Sequence, residues 1–255
     1  MLNRSAILLA LFASATAFAE PPAPAAPTAP AAAAPAHPET TPTPRPDAKG
    51  WSDRNKQLAA NAAKGAEVAF IGDSITQGWE TGGKAAWAEH FAAHWKCVNL
   101  GVSGDTTENV LWRLTEGGNL GGGKLTPKVF VILIGTNNAG RRSDTPEQIL
   151  GGVKAVVDTL QKASPQSKII LTAILPRNRT KPEREILVTQ IVRDANPLLK
   201  AFAAERNLVW FDINDKLAPG GVVSKAIFPD GLHPNAAGYK IWAAALEPVI
   251  AETVK

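Results

Sequence analysis

Five short apolar runs, rich in valine, isoleucine and leucine, recur along the chain at residues 67–72, 97–100, 129–134, 169–174 and 208–212. They are continuous rather than alternating, which predicts strands buried on both faces, as in a parallel sheet. Between them lie longer stretches in which apolar residues return every three or four positions. Helices are therefore expected over residues 85–94, 106–115, 145–163, 182–206 and 235–253. Thr145-Pro146-Glu147 supplies a capping hydroxyl, a proline at the first helical position and an acid in the first turn. Strand-helix alternation predicts an α/β fold: a three-layer α/β/α sandwich around a five-stranded parallel sheet.

The first fifty residues match neither pattern. Met1 to Arg4 is short and basic, an apolar run covers residues 6–13, and Ala17-Phe18-Ala19 precedes Glu20 as an A-x-A cleavage site. Residues 1–19 read as a secretory signal peptide. The stretch between Arg4 and Glu20 is too short to span a bilayer, which needs about 20 apolar residues. Residues 20–50 hold ten of the chain's 20 prolines. Proline removes backbone donors and alanine buries little area, so a disordered linker is expected there. The folded domain is expected over residues 51–255, exported to the periplasm or beyond the cell, with no integral membrane segment after signal cleavage.

Composition narrows the chemistry. At 45% hydrophobic and 20% charged residues, the chain can bury a sizeable core. Its one cysteine, Cys97, excludes an internal disulfide and cysteine-built zinc or iron-sulfur centres. The net charge of +4 is dispersed among acids, so no nucleic-acid partner is expected. His90 and His94 stand four apart, but Phe91 rather than glutamate comes directly after the first, and the pair reads as a helix face. No metal and no cofactor are expected. Gly118-Asn119-Leu120-Gly121-Gly122-Gly123-Lys124 nearly matches a phosphate-binding loop, yet Leu125 replaces the magnesium-binding hydroxyl and the segment precedes a strand instead of succeeding one.

In open parallel sheets, ligands bind beyond the carboxyl ends of the strands. The segments found there are Gly72-Asp73-Ser74-Ile75-Thr76, Gly101-Val102-Ser103-Gly104-Asp105, Gly135-Thr136-Asn137-Asn138 and, before the last helix, Asp230-Gly231-Leu232-His233-Pro234. Together they hold a hydroxyl, a base, a carboxylate and oxyanion donors, the inventory of a serine hydrolase. Ser74 is either a nucleophile at a strand-to-helix turn or a helix cap. His233, three residues after Asp230, can be oriented by that carboxylate. The Ser74 and Gly104 N–H groups and the Asn137 amide can serve as oxyanion donors, although a turn glycine and a loop-capping asparagine look the same in sequence.

These four blocks, in this order, resemble the SGNH or GDSL hydrolase family across about residues 68–242. Gly78-Trp79-Glu80, Asn109-Val110-Leu111-Trp112-Arg113-Leu114 and Gly135-Thr136-Asn137-Asn138 are most similar to the catalytic subunits of platelet-activating factor acetylhydrolase. The resemblance implies a flavodoxin-like fold, with Ser74 as nucleophile, His233 as base, Asp230 as its orienting acid, and Gly104 and Asn137 as oxyanion donors. It also implies a serine esterase acting on short-chain esters, acetyl first among them, of a small molecule or an acetylated glycan, and the leader read above makes it an exported one. A longer-chain lipase or thioesterase and a non-catalytic binding domain are the alternatives. Asp73, Trp79 and Arg177 are the candidate substrate contacts, with core packing as the other reading of Trp79. The chain is expected to be a monomer or homodimer.

Overall fold

The computed structural model describes residues 37–179 and 182–255. The leader and most of the linker expected in the sequence lie outside them. Five strands, β1 (Val68–Gly72), β2 (Cys97–Gly101), β3 (Val129–Leu133), β4 (Lys168–Thr172) and β5 (Val209–Phe211), form one all-parallel sheet in the order β2-β1-β3-β4-β5. Val68 pairs with both Cys97 and Val129, so β1 lies between β2 and β3. Eight α-helices are present among the described residues: α1 (Trp51–Ala62), α2 (Ser74–Gln77), α3 (Lys84–Trp87), α4 (Thr107–Thr115), α5 (Pro146–Ala163), α6 (Pro182–Glu205), α7 (Asn214–Leu217) and α8 (Ala236–Thr253). No helix among these residues is long and apolar enough to cross a membrane.

Alternate strand residues serve two cores, as the two-residue period of a strand requires. Ala69, Ile71, Phe130, Ile132, Ile169 and Leu171 pack with α1, α4, α5 and α6 on one face. Val68, Phe70, Val129, Val131, Leu133 and Ile170 meet α2, α3 and α8 on the other. The second core is aromatic: the Trp79 ring centroid lies 4.6 Å from Tyr239, 5.1 Å from Trp242 and 5.2 Å from Phe91. Burying such a side chain stabilises the fold by about 1.5–3 kcal/mol. The three-layer sandwich and its five-stranded parallel sheet match the architecture expected from the alternation of runs.

The compact unit begins at His37, well before the boundary expected at Trp51. Part of the proline-rich segment packs on the domain. Its backbone replaces water as partner for α4: Thr43 N–H donates to Glu108 O at 3.0 Å, Asn109 Nδ2 donates to Thr43 O at 2.9 Å, and Thr107 Oγ1 donates to Glu39 O at 2.9 Å. α1 is a further departure, since the pattern of runs predicts no helix there. Its buried face is Trp51, Asn55, Leu58 and Ala62, a stripe whose asparagine and alanine weaken the apolar signal.

A buried ion pair joins the strand ends. Arg113, on α4, is fully buried and its Nε donates to Asp105 Oδ2 at 2.7 Å. Its other nitrogens donate to Leu100 O at 2.9 Å, Asn119 Oδ1 at 2.8 Å and Gly72 O at 3.2 Å. Desolvation pulls the Arg113 pKa down, against the opposing pull of Asp105. Removing one partner leaves a desolvated charge and stranded carbonyls, at a cost of about 3–5 kcal/mol. Arg113→Leu should therefore lower the unfolding free energy by about that amount in urea titrations. A loss below about 1 kcal/mol would mean that the pair is relieved by rearrangement.

Candidate active site

β1 ends at Gly72 and the chain turns at once into α2. Asp73 caps that helix, its Oδ1 accepting from Ile75 N–H at 2.9 Å, which fixes the turn and makes Ser74 the first helical residue. Tyr239, on α8, donates its hydroxyl to Ile75 O at 2.6 Å and so ties the last helix to this turn. The Asp230–His233 loop precedes α8 and is brought to the same edge. Gly231 in that loop has φ +76°, and a Cβ there would lie 2.0 Å from Asn178 O. Only glycine fits. Asn178 N–H returns the contact by donating to Gly231 O at 2.7 Å.

Ser74, His233 and Asp230 form one hydrogen-bonded series. Ser74 Oγ is 2.8 Å from His233 Nε2, and His233 Nδ1 is 2.7 Å from Asp230 Oδ2. Asp230 Oδ1 accepts from the backbone N–H of His233 at 2.8 Å and of Leu232 at 3.0 Å. Partial burial pushes the Asp230 carboxyl up, but the N–H donors and the His233 ring outweigh it and hold it at about 2. The carboxylate therefore stays ionised across the physiological range and fixes Nδ1 as the protonated ring nitrogen, leaving Nε2 as an acceptor for the serine proton.

The segment after β2 lies alongside. Gly104 has φ +77°, and its N–H, like that of Ser74, donates to no backbone carbonyl among the described residues. Asn137, mostly buried, donates through Nδ2 to Asp105 O at 2.9 Å, which leaves its second amide hydrogen available. Asn138 turns away and binds Thr107 and Asp144. Gln77 Oε1 accepts from Ser103 N–H at 2.8 Å, a contact not foreseen from the sequence. A shallow pocket of about 250 Å³ opens on Ser74 and His233, lined also by Gln77, Gly82, Ser103 and Pro234. The larger cavity of about 490 Å³, beside Arg177, Arg193 and Trp210, shares no residue with it.

The three candidate substrate contacts are corrected by their burial. Asp73 is fully buried beneath the turn, and its second carboxylate oxygen has no partner among the described residues. Trp79 is 1% exposed and belongs to the aromatic core. Arg177 is held under the β3 loop, its Nη1 donating to Thr136 O at 3.0 Å and its Nε to Glu185 Oε1 at 3.4 Å. None of the three lines the serine pocket. Residue type suggested contact with substrate, whereas the strand-end turns direct these side chains inward.

Other reactive groups are accounted for elsewhere. Burial, reinforced by the Glu67 carboxylate, pushes the Cys97 thiol up to about 12, so it is a poor nucleophile. His90 and His94 both meet Glu247, at 2.6 and 3.2 Å, and no cluster among the described residues is suited to a metal.

A parallel α/β sheet carrying this hydroxyl–imidazole–carboxylate series beyond its strand ends defines a serine hydrolase. The profile of the GDSL-like lipase/acylhydrolase family matches residues 70–241. Human platelet-activating factor acetylhydrolase IB subunit alpha1 is 33% identical over 224 residues, covering 84% of this chain and 90% of its own length. The rat alpha2 subunit is 32% identical over 198 residues, 76% of this chain and 80% of that protein. Among solved structures, a GDSL-like lipase from Bacteroides thetaiotaomicron gives a TM-score of 0.63 at 23% identity, with 79% of this chain and 98% of that one covered. A carbohydrate acetylesterase from Sinorhizobium meliloti gives 0.60 at 20% identity, covering 72% and 98%. Those two likenesses concern the fold. The chain belongs to the GDSL-like lipase/acylhydrolase family and is a carboxylic ester hydrolase.

Burial pushes the Asp73 carboxyl up to about 7, despite the Ile75 N–H bond, and the nearby Asp105 carboxylate adds to the rise. The unfolded group titrates near 3.9. The native chain thus retains a proton that the unfolded chain releases, and this contribution to stability is full below about pH 4 and lost as pH rises through about 7. Asp73→Asn keeps a capping oxygen and removes the titration. Its melting temperature relative to wild type should rise between about pH 5 and pH 8. A pH-independent difference would mean that Asp73 is not held protonated.

Proposed function

We propose that this chain is an exported serine esterase that removes short acyl groups, acetyl above all, through an acyl-enzyme intermediate. The observation that carries the reading is the unbroken series from Ser74 Oγ to His233 Nε2 and from His233 Nδ1 to Asp230. Ser74 Oγ attacks the ester carbonyl carbon while its proton passes to Nε2. The N–H groups of Ser74 and Gly104 and the free hydrogen of the Asn137 amide receive the developing oxyanion. Collapse of the tetrahedral adduct expels the alcohol, which takes the proton from Nε2. A water then attacks the acyl-enzyme with Nε2 as base, and the carboxylic acid leaves.

Several features support the finer claims. The pocket is shallow and lined by Gly78, Gly82 and Ser103, which suits a small acyl group better than a long chain. Curated relatives are platelet-activating factor acetylhydrolase subunits, and one fold neighbour is a carbohydrate acetylesterase. An acetylated glycan or another small acetyl ester is the substrate class these features favour. The charged start, apolar run and Ala17-Phe18-Ala19 motif support export.

The test is hydrolysis of p-nitrophenyl acetate beside p-nitrophenyl octanoate by wild type and Ser74→Ala. Acetate should be preferred, and the variant should lose turnover by at least roughly 1000-fold while melting like wild type. Preference for octanoate would favour a lipase or thioesterase. A wild type inert toward both esters and toward a fluorophosphonate probe would leave a binding domain as the reading.

A further inference from the structure

Three consecutive carbonyls in the segment after β2 are each held by a side-chain donor. Arg45 Nη1 donates to Ser103 O at 3.0 Å, Arg141 Nη1 to Gly104 O at 2.8 Å, and Asn137 Nδ2 to Asp105 O at 2.9 Å. The first of these bears on the oxyanion site. Ser103 C=O and Gly104 N–H belong to one planar trans peptide and point in opposite directions. A donor that pins the carbonyl outward therefore turns the N–H inward. Gly104 needs such a restraint, because glycine passes between positive and negative φ with little penalty. Rotation of this one peptide would withdraw a donor and present a carbonyl oxygen to the developing negative charge.

Resting on the esterase reading above, we infer that Arg45 is a positioning residue: it orients the Ser103–Gly104 peptide so that the Gly104 N–H faces the oxyanion. Arg45 is equipped for this. Its Nη1 also donates to Asp105 Oδ1 at 3.0 Å, and its side chain is 19% exposed. The chain around it is fastened on both sides, by the Thr43 contacts with α4 and by Trp51, whose Nε1 donates to Asp105 Oδ1 at 2.8 Å. Asp105 is in turn fixed by Arg113. The guanidinium is thus a rigid prop delivered by a segment that lies outside the stretch matched by the family profile. Loss of Arg45 leaves Asp105 with Arg113 and Trp51, so the buried carboxylate keeps partners and the fold stands.

The test uses the full chain as wild type, Arg45→Ala and Arg45→Lys, with kcat and KM on p-nitrophenyl acetate, affinity for a small alkylboronic acid, and melting temperature. The boronate forms a tetrahedral adduct with a serine and presents an oxygen to the oxyanion donors. Complete loss of one donor costs on the order of 100- to 1000-fold in turnover, and a donor misdirected part of the time costs less. Arg45→Ala should lower kcat by roughly 10- to 100-fold, leave KM within about 3-fold, and weaken the boronate in parallel. Arg45→Lys, which keeps a cationic donor, should recover part of both, as should millimolar guanidinium added to Arg45→Ala. An active wild type whose Arg45→Ala variant keeps kcat and boronate affinity overturns this inference alone. So does a kcat loss that tracks melting with boronate affinity unchanged. An inert wild type overturns the esterase reading and this inference with it.

Discussion

The carboxylate of Asp105 lies out of water, shared among Arg113, Arg45 and the indole of Trp51. A desolvated carboxylate needs donors on both of its oxygens, and the residues that supply them come from α4, from α1 and from the segment before it. Arg113 is constrained in return, because its remaining donors go to Gly72 O and Leu100 O. Those carbonyls end β1 and begin the exit from β2. One ion pair thereby sets the spacing between the turn that carries Ser74 and the turn that carries Gly104. A pair of well-packed apolar residues could have stabilised the fold as much, but it could not have offered hydrogen bonds to two strand ends at once. The value of the pair lies in geometry more than in net energy.

Much of this was legible in the chain itself, and the parts that were not share a cause. Strand runs are signalled by continuous β-branched residues; Ser74, Gly104 and Asn137 stand out because parallel sheets expose the residues just past the carboxyl end of each strand, and Asp230 and His233 by their three-residue spacing before the last helix. The structure brings these five to one edge. Residue type says nothing about direction: Asp73, Trp79 and Arg177 sit next to the site in sequence or across the sheet edge, yet each points into the core or under a loop, and for Trp79 this is the core packing that the sequence also allows. α1 gave little signal because Asn55 and Ala62 interrupt its buried stripe. Residues 37–50 gave none because proline content reports what a segment cannot pair internally, whereas here its carbonyls and N–H groups pair with α4 across a long sequence gap.

Two kinds of support converge on the serine turn. Local bonds, such as the Asp73 cap, shape the turn itself. Long-range ones decide what it faces: Tyr239 anchors α8 to Ile75 O, and Gly231 lets the Asp230–His233 loop approach Asn178 without a clash. The imidazole is therefore placed by the packing of α8 and its preceding loop, and the Asp230 carboxylate holds the ring through Nδ1.

The distance along the chain between Ser74 and His233, 159 residues, also governs when the protein acquires its chemistry. During synthesis the serine turn emerges 159 residues ahead of the imidazole, beside strands that can begin to pair. A chain still short of His233 carries the Ser74 hydroxyl with no imidazole beside it. Contacts of such long separation close late in folding. The hydroxyl–imidazole–carboxylate series is thus assembled only once the Asp230–His233 loop has been made and packed, and a product cut short before that loop would lack it.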